Sequence, residues 1–165
     1  MADIFLKSFR LLLLPFSVLY GLVVRVRNLL YDRGLLAVTR FNVPVICVGN
    51  LSVGGTGKSP MVEYLLNMLS DKYQVATLSR GYKRRTRGYV LAGRETTALE
   101  IGDEPMQFHL KFPDVAVAVG ERRVEAVPQL LFDRPDTGII ILDDAFQHRA
   151  IGAGLNILVT VYSYP

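Results

Sequence analysis

Val45-Ile46-Cys47-Val48-Gly49-Asn50-Leu51-Ser52-Val53-Gly54-Gly55-Thr56-Gly57-Lys58-Ser59-Pro60 is the stretch that decides the fold. A β-branched apolar run enters a glycine-rich loop, and Gly57-Lys58-Ser59 opens a segment with helical spacing, the strand, loop and helix order of a phosphate-binding P-loop. Glycines let backbone N–H groups turn inward around phosphate oxygens, and the positive end of the following helix faces the same anion. Ser52, Val53, Gly54, Gly55, Thr56, Gly57, Lys58 and Ser59 are therefore expected to cradle ATP, with Lys58 reaching the β- and γ-phosphates and the Ser59 hydroxyl ligating Mg2+. Ser52 stands where the usual pattern has glycine. Pro60 suits a helix start, where its missing N–H costs little. The plain alternative is a glycine-rich turn.

Downstream, Met61 to Leu69 continues as an amphipathic helix, and Gln74-Val75-Ala76-Thr77-Leu78-Ser79 reads as a second buried strand. Strand, helix and strand at this spacing make a βαβ unit, which implies a parallel sheet. Val115 to Val119 is a third buried strand, Gly138-Ile139-Ile140-Ile141-Leu142-Asp143-Asp144 a fourth, and Asn156 to Val161 a fifth, with a short strand or hairpin near Tyr89 to Ala92. The expected fold is α/β: a P-loop NTPase-like, mostly parallel sheet flanked by helices. Four apolar residues before Asp143 and Asp144 match the second signature of such proteins, a carboxylate emerging from the sheet to hold Mg2+.

Ligands of open parallel sheets collect at the carboxyl ends of the strands. Arg80-Gly81-Tyr82-Lys83-Arg84-Arg85-Thr86-Arg87-Gly88 leaves the second strand there, and Arg80 and Tyr82, nearest the strand end, are the candidates for an anionic substrate. Lys83 to Arg87 read individually as a solvated basic loop. Gly120-Glu121-Arg122-Arg123 puts further cations at the end of the third strand, and Gln147 and His148 follow the aspartate pair. In Gly102-Asp103-Glu104-Pro105 a glycine turn leads into a helix, where spacing alone makes Asp103 and Glu104 capping groups. His109, inside that helix, reads as structural.

The chain has 165 residues, half of them hydrophobic, and one cysteine. A single cysteine excludes an internal disulfide, and Cys47 reads as a small buried apolar residue. The net charge of +4 is not spread evenly: residues 1–40 hold six basic against two acidic residues, and the remainder balances. That distribution argues for a local anionic partner and against general nucleic-acid binding. Leu11 to Val24 is an uncharged run of 14 residues between Arg10 and the pair Arg25 and Arg27, short of the roughly 20 needed to span a bilayer. We expect residues 1–31 to form an amphipathic helical segment, bent near Pro15, lying in the membrane interface with arginines toward anionic headgroups. A helix packed on another part of the protein is the alternative; a secretory signal lacks its small-residue cleavage site. Residues 32–165 would be the P-loop core.

Four motifs in order, Val48 to Pro60, Leu78-Ser79-Arg80-Gly81-Tyr82, Gly102 to Pro105 and Asp143-Asp144-Ala145-Phe146-Gln147-His148, closely resemble the tetraacyldisaccharide 4′-kinase (lipid A 4′-kinase) family. Proteins of that family are about twice as long, so the chain looks like their N-terminal half. The resemblance implies a peripheral enzyme on the cytoplasmic face of the bacterial inner membrane. It would move the γ-phosphoryl group of ATP to the 4′-hydroxyl of a tetraacyl glucosamine disaccharide 1-phosphate, giving lipid IVA in lipopolysaccharide synthesis. It further implies Asp103 as general base, against the capping reading, with Lys58 on the triphosphate and Asp143 and Asp144 at the Mg2+-ATP site. Arg80, Tyr82, Gln147 and His148 would surround the lipid A precursor, and Arg122 joins them as a substrate candidate from its place at the end of the third strand. Ala145 and Ser59 depart from the commoner glycine and threonine, and a histidine partner of the base is expected in the half not covered. A membrane-associated P-loop ATPase switch and an inactive fragment of the kinase are the competing functions.

Overall fold

The β-branched runs become strands buried on both faces, as a parallel sheet covered by helices requires. The structure, a computed structural model, describes the backbone of residues 2–50 and 57–160 and the side chains from residue 14 onward within those ranges. The phosphate-loop residues Ser52, Val53, Gly54, Gly55 and Thr56, and Val161 at the end of the expected fifth strand, lie outside the described residues. Two compact units emerge, Met1–Val38 and Thr39–Pro165.

The first unit is a single helix, α1 (Ala2–Asp32), with Pro15 inside it. Proline lacks the N–H that would bond one turn back; the helix runs on past it, and Ser17 Oγ donates to the Leu14 carbonyl at 2.9 Å. Leu14, Phe16, Val18, Leu19, Tyr20, Leu22 and Val23 are all more than half exposed within this unit. Among the described residues no helix is long and apolar enough to cross a membrane.

The second unit runs β1 (Val45–Gly49), α2 (Lys58–Leu69), β2 (Val75–Ser79), β3 (Val90–Leu91), α3 (Ala98–Ile101), α4 (Asp103–Lys111), β4 (Ala116–Val119), α5 (Arg123–Asp133), β5 (Ile139–Asp143) and β6 (Leu155–Leu158). The strands form one six-stranded sheet in the order β3-β4-β2-β5-β1-β6. All neighbours are parallel except the short edge pair β3 and β4. The βαβ unit read from the sequence is present, but its strands are not neighbours: β5 inserts between β1 and β2.

Side chains alternate across the sheet. Val45, Cys47, Ala76, Leu78, Ile140 and Leu142 face Ala126, Val127 and Leu130 of α5. Val48, Val75, Val117 and Ile141 pack with Val62, Leu65 and Leu66 of α2 and Phe108 of α4. Asp143 shares the parity of Ile141, so the second carboxylate signature leaves the sheet on the side of α2 and α4. Burial pushes the Cys47 thiol up to about 11, which keeps it protonated and inert.

Candidate functional site

Parallel pairing sets Asp143 beside Val48, so the aspartate and the glycine-rich loop leave the sheet from adjacent strands at the same edge. The approach is tight: a Cβ on Gly49 would stand 2.5 Å from Phe146 Cβ. At the head of α2, Gly57 takes a left-handed conformation (φ 86°) as N-cap, a geometry glycine adopts without cost. Lys58 then projects across the edge. Its Nζ donates to Asn50 Oδ1 at 3.0 Å and pairs with Asp144 Oδ1 at 2.9 Å. Asp144 itself sits at φ 51°, sparsely populated for a non-glycine residue and typical of functional edges.

Ser59, one residue on, donates from Oγ to Glu104 Oε1 at 2.9 Å. That bond brings the first turn of α4 to the first turn of α2. Asp103, exposed, is the first residue of α4 behind the N-cap Gly102. Capping and site placement are therefore compatible: the carboxylate adds to the helix N-terminus and lies in the turn that meets Ser59.

Asp143 is buried, and its Oδ1 has no hydrogen-bond partner among the described residues. Burial, then the nearby carboxylates Glu104 and Asp144, push its pKa up to about 6, while Lys58 and Arg123 pull it down. Excess negative charge with an orphaned buried oxygen fits a dication. Among the described residues no three His, Cys, Asp or Glu side chains form a cage; Mg2+ is commonly held by one or two carboxylates plus substrate phosphates. The sign of the titration is testable. A folded pKa above the ordinary 3.8 means the fold holds this proton more tightly, so stability from Asp143 is highest below pH 4 and falls as pH rises through about 6, by roughly 3 kcal/mol. Urea unfolding without divalent cation should show Asp143→Asn gaining stability over the parent across that window; parallel pH profiles would contradict it.

Of the two arginines after β4, Arg122 is exposed and pairs with Glu125 at 2.7 Å. Arg123 is the buried one: its Nη1 donates to the carbonyls of Gly120 (2.8 Å) and Glu121 (3.2 Å). Its Nε and Nη2 find no partner among the described residues. Burial, then the charge of Arg80, lowers its pKa to about 10, which leaves it cationic at neutral pH.

The basic loop is folded rather than solvated throughout. Arg84 has a side chain only 2% exposed and pairs with Glu121 at 2.6 Å, while also donating to the Gly88 carbonyl and to Thr86 Oγ1. Thr86 in turn donates to the Glu100 carbonyl, so the loop is tied to the turn that precedes Asp103. Arg84 is thus internal scaffold, contrary to the sequence expectation, whereas Arg80, Tyr82, Lys83, Arg85 and Arg87 remain exposed. Gln147 is exposed and His148 half-buried in the turn after β5. His109 Nε2 lies 3.0 Å from the Gly93 carbonyl, the structural role expected of it.

The described part of the site thus brings together Lys58, Ser59, Asp143 and Asp144, with Arg80 coupled electrostatically through Arg123. From the sequence alone Asn50 has no role, although it lies within the Val48 to Pro60 motif; Glu104 reads only as a capping group and Arg123 only as one of the cations at the end of the third strand.

Known proteins resemble the chain in sequence and fold. The tetraacyldisaccharide 4′-kinase of Flavobacterium johnsoniae is 55% identical over 153 residues, covering 93% of this chain and 45% of its own length. That of Bacteroides thetaiotaomicron is 58% identical over 151 residues, covering 91% and 40%. The chain therefore spans less than half the length of these relatives. Among solved structures, LpxK from Aquifex aeolicus, crystallised as an "apo" form in complex with ATP, superposes with a TM-score of 0.79 at 43% identity, over 88% of this chain and 47% of that one. The sequence profile of the tetraacyldisaccharide-1-P 4′-kinase family, LpxK, matches residues 9–163. With fold, motif order and sequence in agreement, the chain belongs to the tetraacyldisaccharide-1-P 4′-kinase family.

Proposed function

We propose that the chain carries the phosphate-binding and acceptor-activating part of a lipid kinase, which transfers the γ-phosphoryl group of ATP to the 4′-hydroxyl of a tetraacyldisaccharide 1-phosphate. The observation that carries this reading is the meeting of α2 and α4: Ser59 bonds Glu104 at 2.9 Å beside the Lys58–Asp144 pair. Groups suited to a triphosphate and groups suited to a sugar hydroxyl share one edge. Family membership and the ATP bound by the Aquifex relative support it.

Phosphoryl transfer needs alignment and charge neutralisation more than covalent participation by the protein. Lys58, released from Asp144, binds the β- and γ-phosphates, joined by the loop from Ser52 to Gly57. Ser59, Asp143 and Asp144 would hold Mg2+, which when bound would offset the charge of the phosphates. Asp103 accepts the proton of the sugar hydroxyl as its oxygen attacks the γ-phosphorus; the bond to the bridging oxygen breaks and ADP departs. Arg80, Tyr82, Arg122, Gln147 and His148 face the anionic acceptor. Arg123, cationic and buried, adds a fixed positive field behind it.

The exposed apolar surface of α1, with Arg25 and Arg27 beside it, supports a helix lying in the bilayer interface against anionic headgroups. A substrate with four acyl chains stays in the membrane, so an enzyme acting on it works there. ATP use places that surface on the cytoplasmic face of the inner membrane. Residues 1–31 serve as the anchor and 32–165 as the kinase core.

The test is transfer of labelled γ-phosphate from Mg-ATP to tetraacyldisaccharide 1-phosphate in vesicles containing anionic lipid. Label in the lipid fraction is expected. ATP hydrolysis stimulated equally by vesicles without the disaccharide would replace the kinase reading with an ATPase switch, and failure to bind ATP would leave an inert fragment.

A further inference from the structure

Helices α2 and α4 are stitched along one polar seam. Ser59 donates to Glu104 at the first turn of each. One turn further, both oxygens of Glu63 are used: Oε1 accepts from Gln107 Nε2 at 2.8 Å and Oε2 pairs with Lys111 Nζ at 2.5 Å. Residues 59 and 63 are one turn apart on α2, and 104, 107 and 111 line one face of α4. The Glu63 side chain is only 17% exposed, while Lys111 is 51% exposed, so the carboxylate is held at the helix seam by charge-assisted bonds whose donors reach in from the surface.

The seam does what the apolar core beneath cannot. Val62, Leu65 and Leu66 of α2 share a cluster with Phe108 of α4, but α2 rests mainly on β1 and β5 and α4 on β4. Apolar burial is non-directional and tolerates sliding, whereas hydrogen bonds fix register. The two ends of the seam also differ. In the kinase reading the Ser59 oxygen also serves the bound cation, through lone pairs that its bond to Glu104 leaves open; Glu63 has no such second duty.

We propose that Glu63 is a positioning residue: through Gln107 and Lys111 it clamps the helix that carries Asp103 to the helix that carries Lys58 and Ser59, and with the Ser59–Glu104 bond it holds their heads in register. Its consequence, a fixed spacing between phosphoryl donor and acceptor base, rests on the kinase reading; the clamp itself does not.

Amide hydrogen exchange in the full chain, with and without saturating Mg-ATP, tests this. Glu63→Ala should speed exchange of the α4 amides about tenfold with Mg-ATP bound. The effect should be of similar size without nucleotide, and ATP affinity should stay within about twofold. Reversing the pair, Glu63→Lys with Lys111→Glu, should restore slow exchange. A general loss of stability would instead speed β2 and β5 as much as α4, and the reversed pair would not rescue it; that result, or unchanged α4 exchange in Glu63→Ala, overturns the clamp. If the parent chain binds no ATP, the nucleotide reading fails by itself. Exchange in α4 without nucleotide then decides the clamp, and equal rates in parent and variant refute it.

Discussion

Replacing Asp103 with alanine is expected to lower phosphoryl transfer to the disaccharide by about 10²–10⁴-fold, the usual contribution of a positioned general base. Mg-ATP binding should stay within about twofold, because Asp103 stands at the head of α4 and the triphosphate groups stand on α2. Lys58→Ala should affect both transfer and ATP binding. The Lys58 ammonium lies within 2.9 Å of Asp144, which pre-sets it at the edge where phosphate charge arrives. Its loss removes a charge-assisted contact that strengthens as the transition state forms, lowering transfer by about 10²–10³-fold and weakening ATP binding as well. Transfer assays and titration with a fluorescent ATP analogue separate the two. Asp103→Ala turnover within a few-fold of the parent would remove Asp103 from the chemistry.

The second large effect concerns the residue just before it. Gly102 has φ 95° and ψ 162°, a combination open essentially to glycine alone. A Cβ there would stand 2.8 Å from the Tyr82 carbonyl oxygen and 3.3 Å from the Gly81 carbonyl carbon. These are backbone atoms, so no side-chain rotation relieves the clash. Backbone strain and overpacking together put Gly102→Ala about 3–5 kcal/mol below the parent, a large share of a typical domain's stability. At about 2–4 °C per kcal/mol for a domain of this size, circular dichroism should record a melting point lower by about 6–20 °C. A shift under about 2 °C would show that the turn opens freely. Where the variant stays folded, the loop bearing Tyr82 and the helix bearing Asp103 are pushed apart, and transfer should fall with it.

How far these features could be read in advance depended on how local they are. Ile139 to Leu142 announces a strand buried on both faces because its whole signal is its own composition, and Gly57-Lys58-Ser59 announces a helix head for the same reason. The insertion of β5 between β1 and β2 was not legible, since periodicity reports which residues are buried and not which strands are neighbours. Arg84 illustrates the same limit. Five cations in nine residues look solvated until Glu121, brought over by the turn after β4, accepts one of them. The assignment of Asp103 to capping or to the site could not be decided by spacing, because both uses want a carboxylate at a helix head. Its neighbour's bond to Ser59 spans 45 residues, a separation no local pattern records. Helix α3, four residues long, was likewise unforeseen. Its capping box at Thr97 and Glu100 was visible, but no apolar period long enough to mark a helix follows it.

The alternation of side chains along β5 has a further consequence. A slip of one position against β1 would turn Leu142 toward the phosphate edge and bury Asp143 beneath α5, among Ala126, Val127 and Leu130. Four consecutive aliphatic residues offer little resistance to that error, because either face accepts them. Asp143 resists it, since a carboxylate enclosed by hydrocarbon would cost several kcal/mol. The group that weighs on stability near neutral pH would then also be the registration mark of its strand, and Asp143→Asn would test fidelity of pairing as well as affinity for a cation.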